Sequence, residues 1–304
     1  MSTAASLRRA VRLEFSRRPS ALRYMAGALL PSPGLDPARG FPDLAARWSG
    51  CRADPAELAD FLRAAGAGPA PASHWPLLFP QTIGFRLQMA ILTHPVFPVP
   101  IWRVLQVRNH LLQHRPIALG EVLDFETRIA THRVVEKGLE VDLRTTMTSG
   151  NLPVWESVNT FYVRGGFGPP GAGSPLAAAP AVAQDVVAQW HMPSNARLRF
   201  GQLTGDYNGV HLWSAYARRF GFRAAFFHTQ RVLGHCLARL PLAAEDRPRR
   251  LDAWLKGPVY YDSDVRLSAA GEADDRTFAL FSREEIRPAV VGRIRNMPAP
   301  AGLG

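Results

Sequence analysis

The chain has 304 residues, enough for one large or two ordinary domains with a sizeable core. Its 47% apolar and 20% charged residues are ordinary for a soluble globular protein, and no apolar run approaches the ~20 residues that span a bilayer. The net charge of +11 is mostly Arg spread along the chain, with no basic block interleaved with aromatics and no zinc-finger or RNP-like motif, so a nucleic-acid partner is not expected. Only Cys51 and Cys236 occur, far apart and without CxxC spacing, which argues against a disulfide framework and fits a reducing cytosol.

Residues 1–69 open with Arg8, Arg9, Arg12, Arg17, Arg18 and Arg23 against a single Glu14. This reads as a basic helical arm, packed on the domain or lying against a membrane surface. A mitochondrial transit peptide, and so a matrix location, is the alternative to the cytoplasm. A helix is predicted over Thr82–Thr93, flanked by Pro80 and Pro95. The apolar, Pro-broken stretch Met89 to Trp102 suits either a channel wall for an alkyl chain or a core segment and loop. Strand-like runs follow at Ile101–Gln113, Val122–Val135, Leu139–Ser149 and Val154–Val163. Alternation such as Leu123-Asp-Phe-Glu-Thr-Arg-Ile is what half-buried antiparallel strands show. His110 and His114 have a spacing that zinc ligands can have, but no HExxH glutamate or third ligand accompanies them. They are expected to be two partly exposed histidines on one strand face.

The stretch 166–185 is rich in Gly, Pro and Ala and reads as an irregular, exposed linker. Gly166 to Gly171 formally matches the dinucleotide pattern GxGxxG. Two prolines occupy its middle and no helical pattern follows, so no helix N-terminus can face a pyrophosphate.

The second half, 186–304, carries the densest chemistry. The segment Phe200 to Ala217, FGQLTGDYNGVHLWSAYA, places Asp206, Asn208 and His211 within six residues, just after Thr204-Gly205. Acid, amide and imidazole this close can grip one water and move protons both ways. Taken alone, Asp206 or Asn208 could instead cap a helix beginning near Val210, leaving His211 on its surface. A helix is predicted over Thr229–Leu240, preceded by His228, which a structural role would also explain. Strands are predicted at Arg250–Lys256, Val259–Ser268, Thr277–Arg283 and Val290–Arg295. Both halves run helix then strands, and Pro116-Ile117 and Pro258-Val259 fall at equivalent places, a weak duplication of about 120 residues per unit.

The string of small hydroxyl residue, Gly205, Asp206, Asn208, His211 and Ala217 resembles the signature of the MaoC-like family, R-specific enoyl-thioester hydratases and 3-hydroxyacyl-thioester dehydratases. Gly221-Phe222 and Ala225-Phe226-Phe227-His228 continue the resemblance. Two positions depart from it: Gly209 stands where the family has Pro, and Thr229 where it has Gly. The resemblance implies an α+β double hotdog, each half a central helix wrapped by a curved antiparallel sheet. It implies a degenerate unit over 70–165 and a catalytic one over 186–304. It further implies reversible dehydration of (3R)-hydroxyacyl thioesters, with Asp206, His211 and Asn208 catalytic. The backbone N–H of Thr229, with Gly205 and His228, would bind the thioester oxygen. No metal or redox cofactor is implied. The substrate would arrive on coenzyme A or acyl carrier protein, whose negative charge a basic face attracts. A homodimer is among the assemblies open to such a chain. A hotdog thioesterase and a non-catalytic acyl-binding hotdog remain alternatives, and Gly209 and Thr229 encourage the second.

Overall fold

The computed structural model describes residues 10–36, 40–68, 73–243, 247–283 and 285–298. In the first half these form β1 (Val11–Phe15), α1 (Ala21–Ala28), β2 (Leu44–Cys51), α2 (Pro55–Ala64) and α3 (Phe79–Leu92). After them come β3 (Val104–Gln113), β4 (Leu123–Val135), β5 (Gly138–Ser149) and β6 (Leu152–Arg164). The second half has β7 (Val186–Met192), α4 (Arg197–Thr204), α5 (Gly209–Leu212), α6 (Ser214–Arg219) and α7 (Thr229–Leu237). It ends with β8 (Arg249–Leu255), β9 (Ser263–Glu272), β10 (Asp275–Ser282) and β11 (Val290–Asn296).

All eleven strands form one sheet in the order β1-β2-β4-β5-β6-β3-β8-β11-β10-β9-β7. Apart from β1, that order is a palindrome about the antiparallel β3–β8 pair, where Asn109 faces Ala253 and His110 faces Asp252. Each half is therefore one strand, a central helix, and a four-stranded return. The duplication holds in detail: the Trp75 N–H donates to the Ile117 carbonyl, and the Phe227 N–H donates to the Val259 carbonyl, both at 2.8 Å. These are the Pro-Ile and Pro-Val places that matched in the sequence. The chain is a double hotdog.

The central helix of the first half is buried along almost its whole length, from Phe79 to Leu92 with Met89 excepted. A helix apolar on all sides belongs inside. It starts three residues before the predicted Thr82, because Pro80 lies in its first turn, where a missing N–H removes no helical bond. The second central helix, α7, ends at Leu237 rather than Leu240. Strand β9 begins four residues later than expected. The stretch after Gly257-Pro258 stays irregular, and Asp262 adopts a left-handed φ of 57°.

The basic helical arm expected over 1–69 is not what the described part forms. Strand β2 pairs with β4 and holds the place in the first half that β7 holds in the second, and β1 adds a parallel edge strand to it. The first hotdog thus begins at residue 44 rather than 70. The reason is visible in β2 itself: Leu44, Ala46, Trp48 and Cys51 enter the common core, an alternation masked in sequence by the Arg-rich surroundings. Arg8 and Arg9 lie outside the described residues. Of Met89 to Trp102, Phe97 and Val99 are core, whereas Val96 and Trp102 are exposed.

The segment 166–185 has no helix or strand. It runs over the back of the sheet, where the Trp254 indole N–H donates to the Leu176 carbonyl at 3.0 Å. His110 departs from the expectation of two partly exposed histidines, whereas His114 is half-buried as expected, and both rings are paired. His110 is buried and its Nδ1 meets Asp252 at 2.7 Å across the β3–β8 seam, and His114 Nε2 meets Glu156 at 2.9 Å. Each ring has its own carboxylate, which is why the pair makes no shared site. Cys51 and Cys236 are free and buried. Among the described residues no helix is long and apolar enough to cross a membrane.

Candidate active site

The loop between α4 and α5 is built from local hydrogen bonds. Helix α4 ends at Gly205, whose φ of 75° reverses the chain, and a Cβ there would come within 2.9 Å of the Arg86 side chain. Only glycine combines that angle with that contact at no steric cost. The Asp206 N–H then donates to Thr204 Oγ1 at 3.1 Å. Asp206 Oδ1 accepts the Asn208 N–H at 3.0 Å, and Asn208 Oδ1 accepts the Val210 N–H at 3.2 Å, capping α5. Asn208 is thus the cap that sequence allowed, and its cap aims His211.

With Oδ1 tied down, Asp206 Oδ2 is left facing His211 Nε2 at 3.6 Å. His211 Nδ1 lies 2.9 Å from the Phe226 carbonyl. A carbonyl only accepts, so Nδ1 carries the proton, and in the neutral ring Nε2 presents its lone pair to Asp206. The gap is too wide for a direct hydrogen bond. It suits a hydroxyl or water placed about 2.6–3.2 Å from both atoms. Both side chains are nearly buried, at 12% and 13% exposure, so such a hydroxyl would be largely shielded from bulk water.

His228 stacks on His211 with ring centroids 4.0 Å apart and planes 26° from parallel. Its Nε2–H donates to the Asp206 carbonyl at 3.0 Å, so it ties the Asp206–Asn208 loop to the start of α7. Burial is the main force holding its pKa well below that of a free imidazole, reinforced by His211 and Arg231. His228 therefore acts as a neutral plate behind His211. Among the described residues its Nδ1 has no hydrogen-bond partner. Asp206, His211 and His228 each offer a ligand atom within 4.8 Å of the others.

Thr229 opens α7, directly after His228, and is half-buried. The first N–H groups of a helix have no partner within it and carry the positive end of its dipole. Gly209 has a packing reason of its own: a Cβ there would come within 2.6 Å of the Tyr216 ring. Proline would collide with that ring, and the Asn208 cap orders the turn in its place.

Sequence reading missed Arg86. It lies on the first-half central helix, buried, and donates to the Gln202 carbonyl in α4 and to the Pro19 carbonyl at 3.2 Å. The first hotdog thereby grips the helix that leads into the Asp206–Asn208 loop. The only signal was a single charge inside the apolar run TIGFRLQMAIL. Among the described residues the first half brings no Asp–His pair to the start of its own central helix, where Leu78 and Phe79 are buried.

A palindromic double hotdog with, among the described residues, one Asp–Asn–His loop beside a central helix defines the class: a hotdog hydro-lyase. Comparison with known proteins places it further. No family model matches the chain. It is 30% identical, over 230 residues, to 3-hydroxyacyl-thioester dehydratase X of Mycobacterium tuberculosis, covering 72% of this chain and 78% of that one. The crystal structure of HtdX from Mycobacterium tuberculosis superposes with a TM-score of 0.69 at 22% identity, covering 83% of this chain and 100% of that one. A MaoC-like dehydratase from Phytophthora capsici gives a TM-score of 0.69 at 16% identity, covering 85% and 96%. The chain belongs to the MaoC-like double-hotdog dehydratase family.

Proposed function

We propose that this hydro-lyase dehydrates (3R)-hydroxyacyl thioesters reversibly to trans-2-enoyl thioesters, using Asp206 and His211. The observation that carries the reading is the 3.6 Å gap between Asp206 Oδ2 and His211 Nε2, with the other polar atom of each side chain already bonded. In the dehydration direction the C2–H and C3–O bonds break, the C2–C3 double bond forms and water leaves. The pair holds one proton between them: one member takes the C2 proton while the other gives a proton to the departing hydroxyl. Both groups face the substrate from one side, which makes the elimination syn. Asn208 keeps the pair aimed. Charge developing on the thioester oxygen needs a preorganised donor, worth roughly 2.7–4 kcal/mol, and the Thr229 N–H is assigned that role. The reaction so written needs neither metal nor redox cofactor, and the acyl group arrives on coenzyme A or a carrier protein.

The test is turnover of crotonyl-CoA and longer enoyl-CoA substrates, with chiral analysis of the hydrated product. Loss of enoyl absorbance with formation of the (3R)-alcohol is expected. Release of free acid and thiol would identify a thioesterase, and binding without turnover a non-catalytic hotdog.

A further inference from the structure

We propose that α6 and the turns flanking it form a docking face for an acidic acyl carrier protein. Trp213 follows the α5 helix that carries His211, and it is 62% exposed. Tyr216 and Phe220 are 37% and 38% exposed, and their rings pack 5.0 Å apart on the same helix. Arg218, Arg219 and Arg223 are exposed around this aromatic row, with Arg223 lying 4.5 Å over the Tyr260 ring. Among the described residues no carboxylate pairs with these three arginines. The whole stretch 207–244 contains five Arg and neither Asp nor Glu.

A single ring beside arginines would suit the nucleotide end of coenzyme A. A row of three exposed aromatics is wider than one adenine. Aromatic anchors with arginine, depleted of acid, are the composition of a protein–protein contact centre. The uncompensated positive charge selects an acidic partner and speeds its approach, helped by the chain's net charge of +11. Placing the face beside His211 lets a carrier dock at the surface while its thioester arm enters the site. This rests on the thioester reading above, which supplies the reason for a carrier to bind.

The experiment compares the full chain with Arg218→Glu/Arg219→Glu, residues outside the catalytic set, on crotonyl-carrier protein and crotonyl-CoA. Binding of labelled holo-carrier protein is followed by anisotropy at low and high salt, and mass by sedimentation. On carrier-bound substrate kcat/KM should fall roughly tenfold or more, through KM, while the coenzyme A substrate changes by less than about threefold. Carrier binding should be lost in the variant and weakened by salt in the wild type. Equal loss on both substrates would assign the arginines to the coenzyme's phosphates and overturn the proposal. Unchanged carrier kinetics would do the same, as would a dimer that the double substitution splits, since the face would then belong to a second copy. If the wild type turns over neither thioester, the dehydratase reading fails, while the binding measurement still decides the docking face.

Discussion

Asp206 divides its carboxylate between two tasks. One oxygen holds the Asn208 N–H and the other faces His211. Asp206→Asn keeps an acceptor for the turn and removes the charge, and His211→Ala removes the imidazole from a site where His228 and Phe226 still pack. Each should therefore leave the fold intact and lower kcat by about 10²-fold or more. The double variant should be little worse than either single one, because the groups act as a unit. Steady-state rates beside thermal melts check this; near-normal turnover in a folded single variant would remove the pair from the mechanism.

Helix α7 works through its first turn. His228 before it is extended, at φ −61° and ψ 142°, a conformation compatible with a following proline. Thr229→Pro should then fold, because proline is tolerated in a first turn, yet it deletes the N–H assigned to the thioester oxygen. The rate should drop about 10²–10³-fold if that donor stabilises the developing charge. Thr229→Gly keeps the N–H, so activity should persist with a stability loss of roughly 0.5–1 kcal/mol. A folded, fully active proline variant would move the oxygen-binding donor elsewhere.

Across the whole molecule, the same packing that joins the halves buries histidines without countercharge. His235 on α7 is held at a pKa of about 3, mainly by burial and then by Arg231 and Arg239, and His228 is also held low. A free imidazole takes up its proton near pH ~6.5. Between that pH and about 3 the unfolded chain binds a proton that folded His235 refuses. Stability should be complete above the unfolded value and fall as the pH drops below it, by at most about 1.4 kcal/mol per pH unit per buried His. The carboxylates held low by their partners, such as Asp252 and Glu156, do not titrate until more acid conditions. Urea midpoints between neutral pH and about 5 should therefore decline, and His235→Gln should flatten that decline. An unchanged slope in the variant would show that His235 does not govern it.

Local spacing made the candidate loop legible: Asp206, Asn208 and His211 are close in sequence, and short-range turn and cap bonds hold the Asp206–Asn208 turn that leads to His211. The central helices and most strands were legible for a related reason, since apolar periodicity reports burial directly. What sequence could not show depends on contacts between distant segments. Strand β2 looked like part of a basic arm until its pairing with β4 showed which of its side chains enter the core. Arg86 is one charge within an apolar run, and only the packing of α3 beside α4 brings it to the Gln202 carbonyl. His228 became a plate for His211 only through the meeting of α7 with the Asp206–Asn208 loop. Gly209, a departure from the family's residue, is explained by a ring seven residues on that folds back over it. Periodicity and turn chemistry act over a few residues and can be read along the chain; the desolvation, stacking and close approach that finish this site arise only when its elements meet.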